Sequence, residues 1–215
     1  MTPAEADLQW VRPPQQTRSQ ETLERLLDAA EALIAEKGFE DTPVAEVARR
    51  AGSSVGAFYS RFKDKDALFH ALYDRWLEQA TATTDTTLDS ERWRSASIPE
   101  LLTAVVAFLV TVYRERGGLI RAFVVRNHVD PDFQARQQRL SLHISDRLTA
   151  LLLERQSEIR HPHPERAARF GMILLMGALE SVMLFGDFRS RDQNLDDETL
   201  AAELTLAYLA YLGVN

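Results

Sequence analysis

Between Thr42 and Lys65 the chain reads TPVAEVARRAGSSVGAFYSRFKDK, the stretch whose residue types best suit the holding of an anion. Arg49, Arg50, Arg61, Lys63 and Lys65 stand there against Glu46 and Asp64, a local excess of three positive charges. The whole chain of 215 residues carries a formal charge of -7, which weighs against a nucleic-acid binder when taken alone. A basic segment inside an acidic protein can still grip phosphates while the remainder keeps the chain in solution.

Other chemistries lack their residues. With no cysteine there is no disulfide, no thiolate metal site and no cysteine nucleophile. Of the five histidines, His161 and His163 flank Pro162 in a loop and lack a third placed ligand, so no metal is expected. No glycine-rich phosphate loop, nucleophile elbow or pair of catalytic carboxylates is present, so neither an enzyme nor a cofactor is expected. Asp64, Asp66 and the acids at 192–198 read as helix caps and solvated surface. The N-terminal MTPAEADLQW has no apolar stretch of signal-peptide length, and the lack of cysteine fits a reducing cytoplasm. The apolar run 170–186 is short for a membrane span and carries Glu180 near its middle, so burial between subunits fits it better than lipid.

The elements that must position the basic segment are helical. Residues 1–16, rich in proline and glutamine, read as a flexible arm. Leu23, Leu26, Leu27, Ala30, Leu33 and Ile34 then mark one face of a first helix, stopped at Lys37-Gly38. Thr42-Pro43 predicts an N-cap and a proline-led second helix with Val44, Val47, Ala48 and Ala51 inward. Gly52 supplies the turn, and Ser53 or Ser54 caps a third helix to about residue 61. Two short helices about a glycine turn make a helix-turn-helix, a pattern that any αα-hairpin in a bundle also presents. Val47 and Phe58 face the first helix, which leaves Ser54, Val55, Ala57, Tyr59, Ser60 and Arg61 outward.

Further helices are expected over 63–80, 99–116, 131–159, 165–185 and 197–212, with a short apolar piece at 119–128 beyond Gly117-Gly118 and polar connectors at 81–97 and 187–197. The result is an all-α chain of about nine helices: residues 17–65 as a three-helix N-terminal domain and 66–215 as a larger helical domain. The penultimate helix is apolar on nearly every side and must be buried all round. The last has one apolar face at Leu200, Leu204, Ala207, Tyr208 and Tyr211. Two such helices from each of two subunits would make a four-helix bundle, and the same helices could instead form one subunit's own core. Tyr113, Phe123, Asn127, Phe133, His143, Met176 and Glu180 combine apolar bulk with polar handles, as ligand sites do and as ordinary cores also do. Glu180 within an apolar helix requires a partner: an arginine across a dimer, a histidine, or a cationic or hydroxylated ligand.

From Arg18 to Trp76 the chain resembles the N-terminal domain of the TetR family. The resemblance is carried by Ala29-Ala30, Leu33, Lys37-Gly38-Phe39, Thr42-Pro43-Val44-Ala45-Glu46-Val47-Ala48, Ala51-Gly52-Ser53, Gly56, Phe58-Tyr59, Phe62-Lys63, Lys65 and Leu68-Phe69. It implies a homodimer joined through the last two helices, bound to double-stranded operator DNA and responsive to a small-molecule effector in the C-terminal helical domain, by family default a repressor. It further implies that Ser53, Ser54, Val55, Gly56 and Ala57 form the base- and phosphate-contacting stretch. On the same ground Tyr59 would touch a phosphate and Lys65 would bind the DNA backbone. Arg61 stands where the family often has histidine and keeps a donor for phosphate or guanine. Val44 replaces a hydroxyl residue that often meets phosphate, leaving Thr42 as the nearest substitute. The alternative to a regulator is a helical ligand-binding or scaffolding protein without specific DNA binding.

Overall fold

The 3.6-residue spacing of leucines near the N-terminus becomes helix α1 (Thr17–Lys37), whose Leu23, Leu26, Leu27, Ala30, Leu33 and Ile34 are all 5% exposed or less. The computed structural model describes residues 17–186 and 196–214; the expected arm at 1–16 and most of the connector at 187–197 lie outside them. Among the described residues the chain is helical without strands.

Gly38 ends α1 with a φ of 85°, and the chain passes through a short loop into α2 (Val44–Arg50) and α3 (Val55–Tyr59). Gly52 forms the turn between them with a φ of 60°, a conformation costly for any residue with a Cβ. Asp64 caps α4 (Lys65–Thr87) by accepting the Ala67 N–H at 2.8 Å. A short α5 (Ser90–Trp93) follows. The long α6 (Ile98–Asn127) starts on a capping box of Ser97 and Glu100, and α7 (Pro131–Leu153) starts on Asp130 with proline in its first turn. The chain ends with α8 (Pro164–Leu179), its π-helical continuation Glu180–Leu184, and α9 (Asp197–Leu212).

Four sequence expectations change. α6 runs unbroken through Gly117-Gly118, where a stop was expected. A Cβ on Gly118 would lie 2.2 Å from the Ala35 carbonyl oxygen, so glycine there serves the close crossing of α6 over α1. α4 continues to Thr87 instead of fraying near residue 80, its threonines Thr84 and Thr86 bonding back to the carbonyls of Ala80 and Ala82. α7 stops at Leu153, and a 3-10 turn at Gln156–Glu158 replaces its expected last turns. Thr42 does not cap α2: Pro43 is the cap residue, and the Thr42 hydroxyl donates to the Gly38 carbonyl at 2.7 Å.

Two cores result. One joins α1, α2, α3 and the first half of α4, and it takes in Leu119, Phe123 and Phe133 from α6 and α7. The other joins α6 to α9 around Leu101, Val106, Leu152, Leu175 and Tyr208. Trp76 packs on both. The Tyr208 hydroxyl donates to the Ala168 carbonyl, fixing α9 against α8.

Candidate nucleic-acid interface

Phe58 and Phe62 hold the helix-turn-helix from behind. Both are wholly buried, with ring centroids 5.2 Å apart, and with Val47 they close the small core under α1. The front of α3 is open: Val55 is 42% exposed and Tyr59 49%, with Ser54, Gly56 and Ser60 also exposed and Ser53 and Ala57 half-buried. Ser54 caps the helix, its hydroxyl accepting the Ala57 N–H at 3.1 Å. The Ser60 hydroxyl donates to the Ala57 carbonyl at 2.8 Å. Thus Ser53, Ser54, Val55, Gly56, Ala57, Tyr59 and Ser60 are all at least partly open to solvent.

The other three residues of the expected contact set are bound to the protein itself. Thr42 is 1% exposed and closes the loop after α1. Arg61 donates from Nη1 to the Ala57 carbonyl at 3.1 Å and from Nη2 to the carbonyl and hydroxyl of Ser19 at 3.2 and 3.1 Å. Its charge therefore sits at the end of α3, among partial negative charges. Lys65 donates from Nζ to the carbonyls of Phe39 and Glu40 at 3.0 and 3.2 Å, with its ammonium 4.2 Å from the Phe39 ring centroid. These cations brace the headpiece, because carbonyls distant in sequence converge on them.

Exposed positive charge lies at other residues of the motif. Arg50 pairs with Glu36 at 2.7 Å, whereas the Arg49 side chain is 77% exposed and reaches Glu46 only at 3.7 Å. Lys63 is exposed between α3 and α4. Glu46 pairs with Lys37, a contact that holds its carboxyl below the ordinary range and draws its charge away from Arg49. Arg49 was missing from the residues singled out by sequence; its only signal was the local charge excess.

The seven residues expected to line an effector site do not converge. Phe123 and Phe133, 2% and 0% exposed, pack on Tyr73 and Phe69 of α4, Phe133 stacked with its ring centroid 4.3 Å from that of Tyr73 and Phe123 tilted against both. Asn127 sits at the end of α6, with its Oδ1 buried. His143 lies on the surface of α7, its Nε2 2.9 Å from Asp85. Tyr113, Met176 and Glu180 remain together in the second core. Burial raises the Glu180 carboxyl above its ordinary range, with His128 acting the other way. Burial and the nearby Glu180 charge likewise raise the Tyr113 phenol. Glu180 opens the π-helical turn, an irregularity frequent at functional sites.

An open cleft of about 440 Å³ lies instead among α1, α4 and α6. Arg75 spans it, meeting Asp28 at 2.7 Å and Glu31 at 2.8 Å. A second seam ties α4 to α6 and α7: Arg126 meets Asp66 at 2.7 Å, and Arg136 lies 2.6 Å from His70 Nδ1.

Comparison with known proteins agrees with this geometry. Residues 26–72 match the family described as bacterial regulatory proteins, tetR family. The transcriptional regulator AcrR of Shigella flexneri is 39% identical over 56 residues, and that match spans 26% of each chain. A transcriptional repressor of Mycobacterium tuberculosis is 26% identical over 188 residues, 85% of this chain and 88% of that one. In three dimensions a TetR-family regulator from Mesorhizobium loti superposes with a TM-score of 0.68 at 22% identity, covering 91% of this chain and 98% of the other. The regulator FadR of Bacillus subtilis, solved with stearoyl-CoA, has a TM-score of 0.64 at 18% identity, covering 87% and 98%.

Proposed function

We propose, for a chain that belongs to the TetR family of bacterial regulatory proteins, that it binds a palindromic operator as a homodimer and leaves it when a small molecule occupies the helical domain. The observation that carries this reading is the outward face of α3. Val55, Gly56 and Tyr59 stand in solvent, while Phe58 and Phe62 anchor the helix from within. A helix bare in front and fixed behind is suited to a major groove, with its N-terminal residues toward the base edges. Arg49 and Lys63 flank it as phosphate contacts, which position a protein on DNA without reading sequence. Thr42, Arg61 and Lys65 support the headpiece from inside.

The dimer half of the proposal rests on α8 and α9. Phe170, Ile173 and Leu174 are 43%, 64% and 49% exposed on one side of α8, and Leu206 is 62% exposed on α9. Pro164–Leu184 is also long and apolar enough to cross a membrane by length and composition alone. A second copy covers these residues and sets two recognition helices about 34–36 Å apart, one turn of DNA. For the effector we assign the surroundings of Tyr113, Met176 and Glu180. The headpiece core includes Phe123 and Phe133, so a shift of α6 or α7 reaches α4 directly. Coupling of this kind requires the effector to bind the free and operator-bound states with different affinity.

The test is binding of the purified full chain to DNA from its own upstream region at two salt concentrations, beside Tyr59→Ala and Arg49→Ala. Saturable binding that outcompetes random DNA, weakens steeply with salt and falls in both variants is the expected result. If neither that DNA nor a genome-wide selection yields a specific site, the regulator reading fails.

A further inference from the structure

The exposed face of α3 lacks the side chains that usually read bases by hydrogen bonding. From Ser53 to Ser60 there is no Asn, Gln, Asp, Glu, Lys or Arg. Those types supply the paired hydrogen bonds to guanine, adenine and cytosine edges in the major groove. Arg61, the next residue, has its guanidinium on Ser19 and Ala57. The face presents Val55, 42% exposed at the first helical position, with half-buried Ala57 beyond it. The apolar feature of a base edge in the major groove is the 5-methyl group of thymine.

Gly56 is a second, independent sign. A Cβ placed there would meet nothing nearer than the Ser54 hydroxyl at 3.8 Å, and its φ is not in the left-handed region. Neither packing nor backbone conformation requires glycine at this point. Glycine inside a helix costs about 0.5–1 kcal/mol relative to alanine. Its bare backbone leaves room for an object outside the protein, directly beside Val55.

We propose that Val55 reads one thymine in each operator half-site through its 5-methyl group, with Gly56 letting the helix approach closely enough for that contact. Base recognition by α3 is then largely apolar, and Arg49 and Lys63 contribute strength without sequence preference. This inference rests on the DNA-binding function proposed above.

The experiment selects an operator from random duplexes with the full-length protein, then replaces its thymidines one at a time with deoxyuridine, which removes only the methyl group. One position per half-site should lose about fourfold in affinity, the value of one buried methyl. Val55→Ala, an exposed substitution checked for an unchanged melting temperature, should bind the parent operator more weakly and be indifferent to deoxyuridine at that position. The inference is overturned if no deoxyuridine weakens binding, or if the loss is the same in Val55→Ala as in the parent. Failure to enrich any sequence would sink the DNA-binding function itself, and this inference with it.

Discussion

Arg61 ties the end of α3 to the start of α1, its Nη2 donating to both the carbonyl and the hydroxyl of Ser19 at 3.2 and 3.1 Å. Hydrogen bonds from a charged donor contribute about 1.5–3 kcal/mol when shielded. Arg61 is only part-buried, so Arg61→Ala should cost toward the lower end of that range in urea unfolding. Arg61→Lys should recover only part, because a single ammonium cannot span Ser19 and Ala57 together. DNA affinity should fall evenly across operator variants, since α3 is loosened as a unit. A changed base preference at one position, with stability intact, would show that Arg61 leaves Ser19 to read DNA.

Gly56→Ala separates folding from binding. The new methyl fills open space and removes a helix-weakening glycine, so stability should rise by up to about 1 kcal/mol. Operator affinity should nevertheless drop, because in the proposed complex the methyl would project toward the duplex. Paired melting and DNA-binding measurements decide it. Unchanged affinity would mean that the groove floor stays clear of Gly56.

These two residues also mark what could be read in the sequence. The leucine spacing of α1, the Gly52 turn and the Asp130 cap are local signals that marked where their elements lie, whereas α4 begins at Lys65 behind the Asp64 cap, two residues after its expected start. Arg61 and Lys65 were legible as charge but not as braces, because the carbonyls that hold them lie 42 and 26 residues away in sequence. Phe123 and Phe133 present the same residue type whether they line a cavity or fill a core; only their packing against Tyr73 and Phe69 distinguishes the two. Gly117-Gly118 read as a stop because glycine weakens a helix, yet a helix crossing that needs a bare Cα overrides that preference.

The two glycines of that pair should behave oppositely. A Cβ on Gly118 would overlap the Ala35 carbonyl, 2.2 Å from its oxygen and 2.9 Å from its carbon, and this backbone cannot turn aside as a side chain can. Gly118→Ala should cost about 1–3 kcal/mol as overpacking. On Gly117 the nearest atom is Leu184 Cδ2 at 3.7 Å, an ordinary contact, so Gly117→Ala should be neutral or stabilising. Thermal unfolding of both checks this, and equal effects would contradict the α1–α6 crossing.

His70 makes stability depend on acid. Its Nδ1 lies 2.6 Å from Arg136 Nη2, so Nδ1 accepts and the proton belongs on Nε2, facing Asp130 at 3.6 Å. Burial, then the Arg136 charge, lowers its pKa; Arg126 acts the same way, while Asp130 and Asp74 oppose. The unfolded chain, with a histidine pKa near 6.5, therefore binds the proton more readily than the folded one. Stability is fully present above about pH 6.5 and is lost as pH falls through that value toward the lower folded pKa. Glu180, whose carboxyl is raised, pulls in the opposite direction but does so equally in a His70 variant. Urea unfolding at about pH 7.5 and about pH 5.5 should show a smaller acid loss in His70→Gln than in the parent. An identical loss in both would assign the acid sensitivity to other groups.

The last prediction concerns the exposed side of α8. Phe170, Ile173 and Leu174 fall at i, i+3 and i+4 and share one face, and the Tyr208 hydroxyl on the Ala168 carbonyl holds α9 beside it. Apolar side chains clustered on one helix face imply a partner that covers them. Ile173→Glu combined with Leu206→Glu places two carboxylates per subunit in that contact without touching either core, since both residues are more than 60% exposed. Sedimentation should show a monomer with unchanged helical content. Operator affinity should fall by a hundredfold or more, because a linked pair of half-site contacts exceeds either alone by about two to four orders of magnitude. A variant that stays dimeric would place the subunit contact on another face. A monomer that keeps full operator affinity would mean that one headpiece suffices, and the palindromic operator would have to be given up.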